Sequence, residues 1–338
     1  MTSTPAPTTS AAQTLSRLLV GNQLQQAVYV AARLGIADEL RDGPRDSTEL
    51  AESVGAHPDA LHRLLRALAG HGILAADGER RFSLTPLGEQ LRSDNPRSVL
   101  PFALWSGGVS YQAWGALEHS VRTGEPAFEN LFGQEFFTYL AEHPESGAVF
   151  DEMMSRHTVP VAAAIAGYDL AGVEVIVDVG GGHGELLAAI LKNRPDIRGV
   201  LVEQARVLDD ARRVFARAGV AERCDAVIGD IHQDLPAADV YVLKSVVHGL
   251  PDDESVEVLA NCRRTLLPGG RLLIVEFVLP TGGGPSPALL MDLLMLIGCH
   301  GRERTAEDFA KLLGAAGLRL AGITSTKHGY SVIEGREP

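Results

Sequence analysis

The sequence predicts an α/β protein in which a helical, winged-helix unit precedes a parallel sheet covered by helices on both faces. Three observations predict it. After Tyr168, short and continuously apolar runs alternate with helix-length segments, the texture of strands buried on both faces. The first of these runs leads through a glycine-rich turn, Asp178-Val179-Gly180-Gly181-Gly182-His183-Gly184, into a helix. Upstream, two helical segments and a hairpin follow one another in winged-helix order.

In chain order, the Pro/Thr/Ala-rich start MTSTPAPTTSAAQT lacks an apolar core and predicts a disordered tail over residues 1–14, not a signal peptide. Leu18, Leu19, Leu24, Val28, Ala31 and Ala32 recur at helical spacing, predicting one or two helices that end near Gly35. Ser47-Thr48-Glu49-Leu50 opens a capped helix, and Ala56 to Ala69 makes a second. Gly72 to Leu84, turning at Asp77-Gly78, makes the hairpin. This unit is expected to span residues 15–98.

Residues 99–338 form the second expected unit, a helical stretch followed by a sheet core from about Val173. The stretch from Val99 to Ala166 holds many of the aromatics, between Phe102 and Phe150. Spacing leaves open whether they pack helices or line an apolar pocket for a flat substrate. Strands are predicted at Val175–Val179, Gly199–Val202, Cys224–Ile228, Val240–Leu243 and Leu272–Val275, with helices at Glu185–Lys192 and Asp253–Leu266. Leu318–Thr324 and Tyr330–Glu334 read as two closing strands.

Composition narrows the function. A net charge of -13 over 338 residues works against broad contact with nucleic acid or an anionic membrane. No run approaches the roughly 20 apolar residues of a membrane span. Cys224, Cys262 and Cys299 lie far apart, forming neither a disulfide framework nor a zinc site. A cytoplasmic protein without a metal is expected. Acidic and basic residues nearly balance across the winged-helix unit, whereas phosphate binding needs clustered Lys and Arg. The unit therefore reads as a packing and dimerisation module, with a ligand-responsive DNA-binding regulator as the alternative.

The glycine turn points to a nucleotide-like cofactor. Gly180, Gly182 and Gly184 let the backbone turn tightly and approach a ligand. Glu185 occupies the position where a dinucleotide site needs its third glycine, and no Gly-Lys-Ser/Thr follows, so both pyrophosphate fingerprints fail. Glu203 ends the second strand, where a carboxylate accepts from ribose hydroxyls. Asp230, after the third strand, suits an adenine amine, and Ile231 supplies an apolar face. Ribose and adenine handles without a phosphate cradle fit S-adenosylmethionine, with Asp178 in the same turn.

With these motifs stand Leu243-Lys244-x-x-x-His248, Pro268-Gly269-Gly270-Arg271-Leu272 and Gly301-Arg302-Glu303-Arg304-Thr305. Together they resemble the small-molecule S-adenosylmethionine-dependent O-methyltransferases of actinomycete natural-product and plant caffeic-acid type, over nearly the whole chain. The resemblance implies a Rossmann-like class I methyltransferase domain and a homodimer through the N-terminal unit. It implies His248 as general base, Glu276 and Glu303 orienting it, and Lys244 touching the cofactor. Met291 and Met295 lie on an expected helix whose methionines suit either a flexible apolar pocket or a core, while Asp292 and Met153–Met154 match weaker family positions on the substrate side. The implied substrate is a small aromatic molecule.

Methyl transfer to a phenol needs a base because the phenol pKa is near 10 and that of imidazole near 6.5. Full ionisation beforehand would cost roughly 5 kcal/mol, so a base that takes the proton as the O–C bond forms lowers the barrier. One departure stands out. His248-Gly249-Leu250 replaces the family's common His-Asp-Trp, removing an acidic neighbour and an aromatic face. Non-methylating chemistry on the same scaffold, hydroxylation or rearrangement, is the alternative reading.

Overall fold

The computed structural model of the chain describes residues 10–282, 284–327 and 329–338. The chain divides into two compact units, one ending at Tyr111 and one spanning Gln112–Pro338. Residues 1–9 of the expected tail lie outside the described residues, but its last part is helical. Ser10 caps α1 (Ala11–Leu19): its hydroxyl accepts from Gln13 N, and Gln13 Oε1 accepts from Ser10 N. This reciprocal pair satisfies two otherwise orphaned donors.

The first unit continues with α2 (Gly21–Arg33), α3 (Ile36–Glu39), β1 (Arg45–Asp46), α4 (Ser47–Ser53) and α5 (Pro58–Gly70). The hairpin β2 (Leu74–Asp77) and β3 (Arg81–Leu84) follows, completing a three-stranded sheet of order β1-β3-β2. Leu50, Leu65, Leu68 and Phe82 form its core. The expected boundary after residue 98 differs from the observed division because α6 (Leu100–Gly107) docks on α2. Gln25 and Gln26 donate to the carbonyls of Ser106 and Gly107 at 2.8 and 3.0 Å. Gly107 lies against Tyr29, where any Cβ would collide.

Helix α7 (Val109–Gly115) crosses into the second unit, followed by α8 (Leu117–Thr123), α9 (Ala127–Phe132), α10 (Phe136–Glu142) and α11 (Pro144–Ala166). Phe128 is sealed from solvent, with Phe132, Phe136 and Tyr139 ringing it at 4.6, 5.1 and 5.3 Å between centroids. Those four rings hold helices together.

The sheet alternates β4 (Val175–Val179), α12 (Glu185–Asn193), β5 (Arg198–Glu203), α13 (Leu208–Ala218), β6 (Cys224–Ile228), β7 (Ala238–Lys244), α14 (Asp252–Arg264) and β8 (Leu266–Leu279). Then come α15 (Pro287–Gly298), β9 (Arg304–Thr305), α16 (Ala306–Ala315), β10 (Arg319–Ser325) and β11 (Tyr330–Arg336). Strand order is β10-β11-β8-β7-β4-β5-β6, with β9 beside β8. The sheet is mixed, since β11 runs antiparallel to both β8 and β10. β10 ends at Ser325 and β11 begins at Tyr330, a separation too short for the crossover that parallel neighbours need.

Successive residues of each central strand serve opposite faces. Ile176, Val240 and Val242 pack with α12 and α13, while Val177, Tyr241 and Leu243 pack with α14 and α16. From β4 the chain builds outward through β5 and β6, then returns to place β7 on the other side. The carboxyl ends of β4 and β7 therefore flank a topological switch point, where open α/β sheets bind ligands. Leu187 on α12 is fully buried in this layer. Leu187→Ala should lower stability by about 2–5 kcal/mol, read as a drop in the urea midpoint of the second unit.

Candidate active site

Asp178, next to last in β4, is 1 % exposed, and neither carboxylate oxygen has a hydrogen-bond partner. After it, Gly180, Gly182 and Gly184 take φ of +67°, +59° and +77°, conformations that side chains resist. Gly181, passed over in the sequence, is constrained differently: a Cβ there would overlap the Asp178 carboxylate and Leu201. Glu203, at the end of β5, accepts from Gly182 N at 3.0 Å and from Gln204 N at 2.7 Å. It thereby pins the glycine turn and keeps lone pairs to spare.

Lys244, at the end of β7, is buried and donates to Ser245 Oγ at 3.4 Å, with its ammonium 5.2 Å from the centre of the Tyr330 ring. Burial lowers its pKa to about 8 against the pull of Asp178, Glu276 and Glu185. Burial, reinforced by Glu203, raises Asp178 to about 7, with Lys244 opposing. Asp230 is exposed and accepts from His232 N at 2.9 Å. Ile231 packs half-buried against the core on the β7 side.

Beyond β7 the chain makes a strained step and then a tight turn. Ser245 has φ +55°, the one described non-glycine residue in that region, a conformation held only where its surroundings demand it. The turn Val247–Gly249 then carries His248. Its backbone N–H donates to Glu276 Oε1 at 2.9 Å, and its Nδ1 lies 2.7 Å from Glu303 Oε1. Glu276 comes from β8 and Glu303 from the segment before β9; both are 1 % exposed, and each keeps one buried oxygen without a partner. Burial alone would depress the His248 pKa, but the Glu303 hydrogen bond and the two carboxylate charges outweigh it and raise it. Burial raises Glu276 above the usual carboxylate range, with His248 pulling against it.

Close backbone contact makes this convergence possible. Arg302 N donates to the His248 carbonyl at 2.8 Å, and a Cβ on Gly301 would overlap that same carbonyl and Gly249. Asp292 Oδ1, on α15, accepts from Glu303 N at 2.9 Å, so part of this substrate-side candidate supports the loop. Met291 packs half-buried against the core, Met295 Sδ lies 4.0 Å from Cys299 Sγ, and Met154 is half-buried on α11. At the His-Gly-Leu departure, Gly249 has open space around its Cβ position and Leu250 packs on the core. Gly181 and Gly301 lie in recognisable motifs and Ser245 in none, and in each case spacing along the chain does not show what faces the residue.

Two family models match the chain: an O-methyltransferase dimerisation domain over residues 16–94 and an O-methyltransferase domain over residues 114–319. The chain belongs to the O-methyltransferase family. It is an S-adenosylmethionine-dependent O-methyltransferase with a class I methyltransferase fold behind the family's helical dimerisation domain. It is 42% identical to a phenazine O-methyltransferase of Lysobacter antibioticus, over 95% of each chain. A solved O-methyltransferase from neocarzinostatin biosynthesis, in complex with S-adenosylmethionine and 2-hydroxy-5-methyl naphthoic acid, superposes with a TM-score of 0.84 at 34% identity. That match covers 96% of this chain and 98% of the other. The chain is also 36% identical to an aclacinomycin 10-hydroxylase of Streptomyces purpurascens, over 91% of this O-methyltransferase and 86% of the relative.

The residues present fit the cofactor. A buried carboxylate without a partner and a buried lysine without a directly bonded carboxylate stand beside the glycine turn. These are complements to the ammonium and carboxylate of an amino-acid tail, and buried charges persist only where something pairs them. Among the described residues, no helix of this O-methyltransferase is long and apolar enough to cross a membrane. Gly181→Ala should weaken S-adenosylmethionine binding at least tenfold by calorimetry while circular dichroism stays unchanged, because the new methyl displaces Asp178 or the turn.

Proposed function

We propose that this O-methyltransferase methylates a phenolic hydroxyl of an aromatic natural product such as a polyketide, with His248 as general base. The observation that carries this reading is the His248–Glu303 contact at 2.7 Å. With Nδ1 engaged by a carboxylate, Nε2 is the nitrogen left to take a proton, and the carboxylate stabilises the imidazolium that results. Glu276 orients the same turn through the His248 N–H. S-adenosylmethionine supplies the methyl group as an electrophile. Asp178, Gly180, Gly182, Gly184, Glu203, Asp230, Ile231 and Lys244 are assigned to holding it, with Met154, Met291, Asp292 and Met295 on the substrate side. The aromatic acceptors named among the relatives support the substrate class.

A homodimer through the N-terminal unit is supported by its match to a dimerisation domain and by α1, where Leu15, Leu18 and Leu19 are 56, 74 and 71 % exposed. Such an apolar stripe calls for a cover. Neither nucleic acid nor membrane is assigned as a partner, and a cytoplasmic setting suits the acidic chain. The hydroxylase relative favours a second reading, non-methylating chemistry on this scaffold. Incubation with methyl-labelled cofactor and a panel of phenolic polyketides and phenazines separates the two: label in the acceptor supports methylation, whereas an altered acceptor without label supports the second.

His248→Ala should cut kcat roughly 10²–10⁴-fold with cofactor affinity unchanged; full turnover would remove the base assignment. The raised His248 pKa also sets a pH trend. Imidazolium cannot accept a proton, so kcat should rise with pH through a midpoint above the ordinary 6.5 of histidine. Glu303→Gln removes the charge that raises it and should move that midpoint downward, read from the kcat–pH profile.

A further inference from the structure

Arg304 is the bulkiest of the fully sealed side chains, 1 % exposed, and its guanidinium wraps the turn that carries His248. Nη1 donates to the Val247 carbonyl at 2.8 Å; Nη2 donates to the Leu250 carbonyl at 3.0 Å and to Ser255 Oγ at 3.1 Å. Nε and Nη2 both reach Asp252 Oδ1, at 2.9 and 2.7 Å. The carbonyls on either side of His248 are thus gripped by one rigid fork. The backbone of Arg304 pairs with Val278 of β8, just beyond Glu276, and its chain neighbour is Glu303. A single residue therefore ties together the three pieces whose meeting creates the His248 site: the turn, the Glu276 strand and the Glu303 segment.

The type of residue matters here. A planar guanidinium satisfies several acceptors at set angles, whereas an ammonium offers a compact charge on a flexible stem. Ser255 Oγ also donates to the Val247 and Leu250 carbonyls, at 3.3 and 3.4 Å, longer contacts that cannot set the turn as firmly. The charge acts too, since Arg304 favours the ionised form of Glu276.

We propose that Arg304 is a positioning residue for methyl transfer, setting the His248 turn against Glu303 so that the imidazole keeps its carboxylate partner. The proposal rests on the reading of His248 as base. The charged and titratable groups around His248 are Glu276 of β8, Glu303 and Arg304 of the segment entering β9, and Lys244 of β7. Asp252 of α14 answers Arg304, Asp292 of α15 holds Glu303 N, and Tyr330 of β11 feels both carboxylates. With the fork removed, the turn loosens, the Nδ1 contact lengthens, and what raises the His248 pKa fades.

The test uses the full chain labelled with ¹⁵N-histidine, the His248 signal assigned by its loss in His248→Gln. In Arg304→Met the His248 titration midpoint should fall by roughly one pH unit, with Arg304→Lys in between because charge is kept and the fork lost. S-adenosylmethionine affinity by calorimetry should stay within about threefold of wild type. With an acceptor found in the labelling screen, kcat should fall roughly 10- to 100-fold, with a smaller change in acceptor KM. An unmoved midpoint in folded variants, or a fall accompanied by an equal loss of cofactor affinity, overturns the proposal and leaves Arg304 a packing residue. If both Arg304 variants fail to fold, Asp252→Asn with Ser255→Ala decides: a smaller fall supports it, and an unmoved midpoint overturns it. Full turnover in His248→Ala would defeat the base assignment instead, while the titration still reports on Arg304.

Discussion

A histidine held between two buried carboxylates is the interaction on which the site depends. His248 N donates to Glu276 and its Nδ1 meets Glu303, so one turn is bonded to a sheet strand and to a segment from much later in the chain. Each carboxylate is sealed from water with an oxygen left over. Buried charge of that kind is costly unless paired, and the imidazole is the nearest group able to pair it. Proton affinity at His248 and the fit of three elements are thus one problem, solved by the same contacts.

The buried pair beside the glycine turn follows a parallel logic. Asp178 and Lys244 lie at the carboxyl ends of neighbouring strands, β4 and β7, and burial weakens the charge of each without joining them in a direct bond. Beside them, Glu203 pins the glycine turn through Gly182 N. A family built on S-adenosylmethionine uses the ends of a parallel sheet here because strand ends leave backbone and side-chain groups pointing out of the layer.

Much of this was legible beforehand. The strands of the parallel core are nearly uninterrupted apolar runs, and burial on both faces forces that pattern whatever the neighbours are. The glycine turn was legible because positive φ admits few residues other than glycine. Less legible was where the sheet's closing pair would dock, because β11 lies antiparallel beside β8 through a pairing of segments far apart in the chain. The unit boundary also moved, because Gln25, Gln26 and Tyr29 draw α6 onto α2 through contacts distant in sequence.

By itself, then, the sequence determined the α/β class, the position of the glycine turn, the carboxylate ending the second strand and the histidine worth testing. Local rules govern those features: periodicity, backbone sterics and the placing of a residue at a strand end. Only the tertiary structure decided that Gly301 lies on the His248 carbonyl, that Asp292 props Glu303, and that Arg304 encloses the turn. These contacts join residues far apart in the chain, and their energies depend on distance and burial, which spacing along a sequence does not encode.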